Sequence, residues 1–277
     1  MVAGDENLKS TPQGITKKKK SIRTANQHFQ ILGYSETQIG TTTYDYQTNS
    51  SSFDRIAGDF ATNKWAAVWT FSTSTAGGWP DRGTGYNYFN GTSWGPQPSA
   101  RLENVRTGWP NLVWTGSGFE VSIAHDPANN RLVMMRRQIG TGQWTQISMD
   151  TITSIALWPR LAVGGSDGNT LHLIGLTTPS AFGGTPYQGM DGALLYCRSL
   201  DGGLTWDIVD ALLPGIDSTH YPDGIGGDTY AIDARGNVVA IILNNLLTGI
   251  QVWKSVDNGL TWQFYEVLEN YRAKYGN

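Results

Sequence analysis

The chain has 277 residues but only one cysteine, Cys197, and few charged side chains. A lone cysteine cannot form an intrachain disulfide, and this one is expected to be a small buried strand residue. Charged residues make up 16% of the chain and the net charge is −3. Nothing therefore favours general binding to nucleic acid through neutralised phosphates. The four histidines are scattered without ligand spacing, so no metal is predicted, and no motif indicates a cofactor.

Long apolar runs are also missing. No stretch of 18 apolar residues exists, so no membrane span is predicted, and the first 20 residues contain no signal peptide in the chain as given. Residues 1–27 are polar and include four consecutive lysines at 17–20. This leader is predicted to be disordered, or else attracted to an anionic surface. Helical periodicity is hard to find, and 34 glycines with 11 tryptophans indicate an all-β protein.

Two segments of the chain are nearly identical. Residues 197–207 and 253–263 both fit the pattern Ser-x-Asp-x-Gly-x-Thr-Trp, 56 residues apart, which indicates a repeat. An apolar strand precedes the motif. The Asp accepts hydrogen bonds from backbone N–H groups, the Gly permits a tight turn, and the Trp after the turn is buried. We interpret these residues as structural: Ser199, Asp201, Gly203, Thr205 and Trp206 in the first copy, and Ser255, Asp257, Gly259, Thr261 and Trp262 in the second.

Two weaker copies precede these. Residues 86–94 place the turn Asn90-Gly91 before Trp94, and residues 135–145 place a Gly-rich turn before Trp144. Both lack the Asp. The four tryptophans at 94, 144, 206 and 262 are 50 to 62 residues apart. They are predicted to occupy equivalent places in four consecutive units.

The units also begin alike, at Phe53, Trp109, Trp158 and Tyr221, and in the last three the aromatic is followed by Pro. An apolar run follows each opening, at residues 65–69, 119–123, 171–174 and 238–242. Polar turns separate the runs, so each unit is predicted to hold about four short antiparallel strands. Within a domain of residues 28–277, the predicted units span about 53–96, 109–148, 158–208 and 221–268.

The two complete motifs resemble the Asp-box, or BNR repeat, of sialidase-like β-propellers. The resemblance implies an all-β propeller of four-stranded antiparallel blades, with the boxes on outer hairpins away from a central pocket. Sialidase-like propellers usually have six blades, so four blades indicate either a small ring or, as we favour, a fragment of a longer protein. The overall composition is similar to that of secreted Bacteroidetes-type proteins.

In such a propeller the blade openings line the central channel, so they are the first candidates for a ligand site. The candidates are Arg55, Trp109, Asn111, Trp158, Arg160, Tyr221 and Asp223. Aromatic faces stack on the apolar side of a sugar, and Arg grips an acid group with two hydrogen bonds. These residue types predict a polar or acidic sugar. The alternative is that the aromatics pack between blades and the charges merely rim the channel.

Catalysis has weaker support. Sialidases carry an Arg-Ile-Pro motif, an arginine triad, an Asp acid and a Tyr–Glu pair, but here Arg55-Ile56 is followed by Ala57 and Tyr221 has no evident Glu partner. Only Arg55 is retained as a catalytic candidate. The sequence favours a secreted or cell-surface module that binds a glycan or protein without catalysis. Two alternatives remain: a sialidase-type exo-glycosidase with catalytic blades outside this chain, and a purely structural propeller. The oligomeric state is left open.

Overall fold

The computed structural model describes residues 36–47, 54–245 and 249–268. The predicted leader, its lysine run and Phe53 lie outside the described residues. The chain divides into two units, Met1–Thr37 and Gln38–Asn277, and every strand named below belongs to the second. Among the described residues no helix is long and apolar enough to cross a membrane.

Fifteen strands form four antiparallel sheets, each built from strands that follow one another in the chain. Sheet 1 holds β1 (Ile56–Asp59), β2 (Lys64–Phe71) and β3 (Gly83–Phe89). Sheet 2 holds β4 (Gly108–Trp114), β5 (Phe119–Asp126), β6 (Arg131–Gln138) and β7 (Thr145–Ile147). Sheet 3 holds β8 (Leu157–Gly164), β9 (Thr170–Leu176), β10 (Leu194–Ser199) and β11 (Ile208–Leu212). Sheet 4 holds β12 (Tyr230–Arg235), β13 (Val238–Asn245), β14 (Gly249–Ser255) and β15 (Gln263–Leu268).

The predicted fold class, an all-β propeller of antiparallel blades, is confirmed. Three of the sheets have four strands. Sheet 1 has three, and an isolated bridge between Phe89 and Trp94 stands where the fourth would begin. Within the described ranges the helical content is one turn of 3-10 helix, Ser180–Phe182. The four apolar runs read from the sequence form the second strand of each sheet.

One predicted strand opening differs from the structure. A strand was expected to open at Tyr221, but β12 begins at Tyr230. Tyr221 instead starts a turn, because Pro222 is followed by Asp223-Gly224 and the Gly224 N–H donates to the Tyr221 carbonyl at 3.0 Å. The third unit was expected to end at about residue 208, and β11 ends at Leu212.

Successive sheets are joined near their first strands, since β1, β4, β8 and β12 lie side by side in chain order. The turns after these strands also connect. Gly116 N–H donates to the Gly168 carbonyl, and Gly165 N–H donates to the Gly236 carbonyl, both at 2.8 Å. A Cβ at position 116 would lie 1.9 Å from the Asp167 carbonyl oxygen, so the close approach of sheets 2 and 3 requires glycine there.

The core fills the spaces between sheets 2, 3 and 4. Every residue of β9 is buried, because sheet 3 is covered on both faces. β13 instead alternates: Val239, Ile241 and Leu243 are buried while Val238 and Ile242 are exposed. Alternation with period two means that only one face of sheet 4 is covered by described residues.

Candidate functional site

The two Trp-Pro openings form matching irregularities inside the first strands of sheets 2 and 3. Pairing between β4 and β5 shifts between Gly108 and Asn111, and pairing between β8 and β9 shifts between Leu157 and Arg160. In each bulge the Trp takes a left-handed backbone conformation, with φ of 55° at Trp109 and 47° at Trp158. A bulky residue rarely adopts this conformation, so the strain marks a place where the fold re-aims a side chain.

The two re-aimed indoles meet around a buried histidine. The Trp109 ring lies 5.1 Å from His125 and 6.3 Å from Trp158, measured between ring centroids. Trp158 also packs edge-on against Phe182 at 5.5 Å, and Phe182 is 62% exposed. The Trp158 backbone N–H donates to His125 Nδ1 at 3.0 Å. His125 is therefore the tautomer that carries its proton on Nε2. The outcome is a connected aromatic surface that reaches solvent at Phe182.

Asn111 and Arg160 lie two residues after these tryptophans, and each donates hydrogen bonds to backbone carbonyls in its own bulge and in a neighbouring unit. Asn111 Nδ2 donates to the Trp109 carbonyl at 3.1 Å and to the Pro159 carbonyl of the next sheet at 2.9 Å. Arg160 Nη1 donates to the Trp158 carbonyl at 3.2 Å, and its Nη2 donates to the Gly227 carbonyl at 2.8 Å. Both side chains are fully buried. They hold the bulges and join neighbouring units, a role that the sequence did not predict for them.

Positive charge concentrates at this end of the fold. Burial lowers the pKa of His125 well below its usual value, and the charges of Arg82, Arg106 and Arg160 lower it further. Burial and Arg106 likewise lower the pKa of Arg82. Burial and Arg160 lower the pKa of Arg55 to about 10. Neighbouring cations that depress one another's pKa values indicate an environment in which an added anion is favourable.

Arg82 and Arg106 are anchored through backbone carbonyls. Arg82 Nε donates to the Thr107 carbonyl at 2.9 Å, and Arg106 donates to the carbonyls of Trp79 and Gly78 at 3.1 and 2.7 Å. Neither forms an ion pair with a carboxylate in the part of the chain that the structure describes. Carbonyl contacts fix the guanidinium groups without neutralising them, so they remain able to pair with an anion.

One carboxyl group near this cluster is perturbed. Burial raises the pKa of Asp54 to about 6, and the charge of Asp233 contributes in the same direction. The Asp54 carbonyl accepts the Leu112 N–H at 2.8 Å, which ties it to β4. The adjacent Arg55 donates from Nη1 to Gln47 Oε1 at 2.9 Å. A carboxyl group that titrates near pH 6 can give or take a proton at neutral pH.

The structure brings together five of the seven predicted ligand residues and leaves two apart. Trp109, Asn111, Trp158 and Arg160 are joined by the contacts above, and Arg55 is linked to Arg160 electrostatically. Tyr221 is buried elsewhere and its hydroxyl donates to Gln251 in β14. Asp223 is exposed and forms no hydrogen bond or ion pair within the described residues. The common channel mouth expected for Arg55, Asn111, Arg160 and Asp223 stays a prediction.

Sequence reasoning missed Arg82, Arg106 and His125. One signal was present: Trp79-Pro80 is a third Trp-Pro pair, and Trp79 has φ of 45°, like the two tryptophans of the bulges. Arg82 follows it by three residues, and Trp79 packs 4.9 Å from Tyr44. His125 carried no signal, because it lies at the end of an ordinary apolar strand.

The two repeated motifs form almost identical turns, between the third and fourth strands of sheets 3 and 4. Asp201 accepts hydrogen bonds from the Ser199 hydroxyl and from the backbone and hydroxyl of Thr205, at 2.6 to 2.9 Å. Asp257 accepts the same three bonds from Ser255 and Thr261 at 2.5 to 2.9 Å. Trp206 and Trp262 pack on the core, Trp262 at 5.0 Å from Tyr196. Trp94 follows β3 and bridges to Phe89, and Trp144, Trp206 and Trp262 precede β7, β11 and β15, so the four tryptophans accompany four successive sheets.

No protein-family model matches the chain, and no curated protein matches it by sequence. Solved structures do. A protein of unknown function from Dyadobacter fermentans superposes with a TM-score of 0.52 at 12% identity, over 82% of this chain and 71% of that one. Trypanosoma rangeli sialidase in complex with 2,3-difluorosialic acid superposes with a TM-score of 0.51 at 15% identity, over 78% of this chain and 38% of the sialidase. Aleuria aurantia lectin superposes at 0.48 with 12% identity, over 78% of this chain and 62% of the lectin.

At these identities the likeness is one of fold. The chain spans well under half of the sialidase, so the whole enzyme's activity is not implied for it. The sheets, their order and the first two superpositions together show that this chain has a sialidase-like β-propeller fold.

Proposed function

We propose that this protein binds an acidic glycan without catalysing a reaction, at the site formed by Trp109, Trp158, Arg55, Arg82 and Arg106. The observation that supports it is an aromatic surface beside the guanidinium groups of Arg82 and Arg106, which form no ion pair with a carboxylate among the described residues. Aromatic faces stack on the apolar face of a sugar ring, and arginine pairs with a carboxylate through two parallel hydrogen bonds.

Further support comes from buried polar atoms beside the arginines. Thr107 Oγ1, Trp109 Nε1 and Asn111 Oδ1 have no hydrogen-bond partner within the described residues. Leaving such groups unpaired costs about 1–3 kcal/mol each. A polar ligand that supplied even one partner would regain part of that free energy, which suits a hydroxylated molecule better than a lipid.

The second candidate is a sialidase-type exo-glycosidase, and Asp54 is the observation that favours it. The pKa of Asp54 is raised above its usual value and the residue is adjacent to Arg55, so it is the carboxyl group that would act as general acid in such an enzyme. Against it stand the Ala57 in place of Pro and the absence of a Glu partner at Tyr221 in the sequence. The third candidate, a purely structural propeller, predicts no glycan affinity at all.

The proposal includes two further statements. The turns at residues 199–206 and 255–262 are Asp-boxes that stabilise hairpins and take no part in binding. The protein acts outside the cell or on the cell surface, where glycans with acid groups are displayed. The support is the sequence motif with its matching hydrogen bonds, and the glycan chemistry of the site.

The binding test is calorimetric titration of the full chain with 3′-sialyllactose and oligogalacturonate, with lactose as the uncharged control. We expect both acidic ligands to bind and lactose to bind much more weakly at this site. Arg106→Ala should weaken acidic binding about tenfold or more, the effect of one charge-assisted hydrogen bond, while Arg106→Lys should retain part of it. Lys254→Gln, an exposed cation of β14, should change nothing. Equal affinity for lactose and sialyllactose, with sialyllactose binding unchanged in Arg106→Ala, would contradict the proposal.

Catalysis is tested separately with a fluorogenic sialic-acid substrate. We expect no turnover by this chain. Turnover that disappears in Arg55→Ala and in Asp54→Asn would replace the binding proposal with the hydrolase. If neither binding nor turnover occurs, the structural role is the one that stands.

A further inference from the structure

A second cleft lies between sheets 1 and 2, away from the arginine cluster. It has a volume of about 590 Å³, and we name it the rim cleft after Tyr86, Tyr88, Asn90, Ser93, Trp94 and Arg137, which line it. Its size falls within the roughly 300–1,000 Å³ of small-molecule sites. The two Asp-less hairpins found in the sequence build it: Asn90 to Trp94 from sheet 1, and the turn containing Gly140 from sheet 2.

The aromatic walls of the rim cleft are held rigidly. The Arg137 guanidinium lies 4.6 Å from the ring centres of both Tyr86 and Trp144, and those two rings pack edge-on at 5.1 Å. Trp94 packs on Phe89 at 5.6 Å. A Cβ at Gly140 would lie 2.3 Å from Cζ of Tyr88, so the Tyr88 ring occupies space that any other residue at 140 would fill. Walls fixed before binding lose little entropy when a ligand docks.

The charge of Arg137 is neutralised inside the fold. Arg137 Nε donates to Glu120, which is fully buried and also accepts the Tyr86 hydroxyl at 2.9 Å and the Gly140 N–H at 3.2 Å. The carboxylate is therefore buried away from any ligand, and its charge compensates that of the guanidinium. This differs from Arg82 and Arg106, so the rim cleft has no electrostatic preference for an acid.

Several polar groups of the rim cleft remain available. Asn90 Oδ1 accepts the backbone N–H groups of Thr92 and Ser93, which leaves its Nδ2 facing outward. The Ser93 and Tyr88 hydroxyls and Arg137 Nη2 also have no hydrogen-bond partner in the described part of the chain. Aromatic faces bordered by uncommitted hydroxyl, amide and guanidinium donors match the alternating apolar face and hydroxyl rim of a pyranose.

We propose that the rim cleft is a second carbohydrate site, specific for a neutral sugar ring. The ring stacks on Trp94 and Tyr88, and its hydroxyls accept hydrogen bonds from Asn90 Nδ2 and Arg137 Nη2. A proline-rich peptide, which also docks on aromatic grooves, fits less well because it offers no row of hydroxyls to these donors. The rim cleft is independent of the acidic-glycan site proposed at Trp109 and Trp158. The two sites together would let one chain contact two residues of a branched or long glycan.

The test is saturation-transfer NMR on the full chain with lactose, cellotriose, maltotriose and xylotriose, and with a polyproline decapeptide as the competing class. We expect saturation transfer to at least one of the neutral sugars. Trp94→Ala and Tyr88→Ala should each weaken that binding about tenfold, the effect of one lost stacking contact with its hydrogen bonds. Trp65→Ala is the matched control, since this tryptophan lies on β2 of the same sheet outside the cleft. Melting curves of each variant show whether it is folded.

Arg106→Lys separates the two sites, because it should leave neutral-sugar binding unchanged even if the central proposal fails. The rim-cleft proposal is overturned if no neutral sugar binds, if binding survives both aromatic substitutions, or if only the polyproline peptide binds. Should Trp94→Ala fail to fold, Asn90→Ala, an exposed change, should still weaken binding severalfold, and unchanged affinity in that variant would overturn the proposal equally.

Discussion

Sheets 3 and 4 carry the same motif and the same turn, yet they occupy different environments. Asp201 and Asp257 accept matching sets of hydrogen bonds, so the local structure of the two hairpins is the same. Sheet 3 is covered on both faces and every residue of β9 is buried. The described residues cover one face of sheet 4, and Val238 and Ile242 are more than 40% exposed. The comparison teaches that the motif specifies a hairpin, while neighbours decide how much each sheet contributes to stability.

Truncating an apolar side chain in the second strand should show the largest difference in stability between sheets 3 and 4. Ile174 of β9 is completely buried, so Ile174→Ala should lower the free energy of unfolding by about 4 kcal/mol. Ile242 of β13 is 44% exposed, and Ile242→Ala should cost less than about 1 kcal/mol. Urea denaturation of the two variants measures both values. Similar losses would mean that the outer face of sheet 4 is covered in solution.

The glycines of the two motifs should show the next largest difference in the cost of substitution. Gly203 and Gly259 both have left-handed backbones, so alanine strains each of them. A Cβ at 203 would meet the flexible end of Met134 at 2.8 Å, whereas at 259 it would lie 1.9 Å from the Tyr196 hydroxyl oxygen. That hydroxyl is held by His172 Nδ1 at 2.8 Å. Gly259→Ala should therefore cost about 3 kcal/mol, and Gly203→Ala about 1–2 kcal/mol.

Thermal and urea unfolding of the two glycine variants give the comparison directly. A larger loss for Gly203→Ala would show that Met134 is confined more tightly than Tyr196. Equal losses would mean that backbone strain alone sets the cost.

Acid should weaken the interface between sheets 3 and 4. Burial lowers the pKa of His172 to about 4, and the Arg198 charge contributes while Asn258 and Asp207 oppose it. Because the folded pKa lies below the ordinary value of 6.5, this stabilisation is complete above pH 6.5 and is lost as pH falls through 4. The expected loss is about 2–3 kcal/mol between pH 7 and pH 4.

Urea midpoints measured across this pH range test the assignment. His172→Gln cannot titrate, so its stability should fall less steeply than that of the wild type. His125 has a lowered pKa as well, so some slope should remain in the variant. If the urea midpoints of the two proteins fall in parallel with pH, His172 is not the source of the acid sensitivity.

The carboxylates of the two motifs should show a smaller effect than the acid titration. Asp201→Ala removes the hydrogen bonds that the carboxylate accepts from the N–H groups of Leu204 and Thr205 and should cost about 1–2 kcal/mol. Asp257→Ala should lower the melting temperature in the same direction. Binding to 3′-sialyllactose by the folded fraction should be unchanged in both variants. Loss of binding with an unaltered melting temperature would show that the turns act in recognition.

The fold could be predicted from sequence to the extent that local patterns encode it. Alternating apolar runs, Gly turns and the spacing of four tryptophans predicted the sheets correctly, because strand period and turn chemistry are short-range properties. Tyr221-Pro222 misled because it resembles the Trp-Pro openings, yet the following Asp223-Gly224 favours a turn.

The site was harder to predict, since its members come from separate units. Arg82, Arg106 and His125 meet only after the sheets associate, and no spacing in the chain records that meeting. Asn111 and Arg160 were identified as polar residues at an axis. Their hydrogen bonds to backbone carbonyls depend on the β-bulges, and the sequence does not indicate those bulges.

The bulges have a further consequence in optical terms. They bring the indoles of Trp109 and Trp158 to 6.3 Å with an interplanar angle of 74°. Two transition dipoles at that separation couple, so the pair contributes a joint near-ultraviolet dichroism signal that isolated tryptophans lack. Phe182 connects this pair to solvent, so a molecule that docks there alters the signal directly. The strained backbone of the two bulges thus supplies an intrinsic chromophore, which reports on the proposed acidic-glycan site without any label.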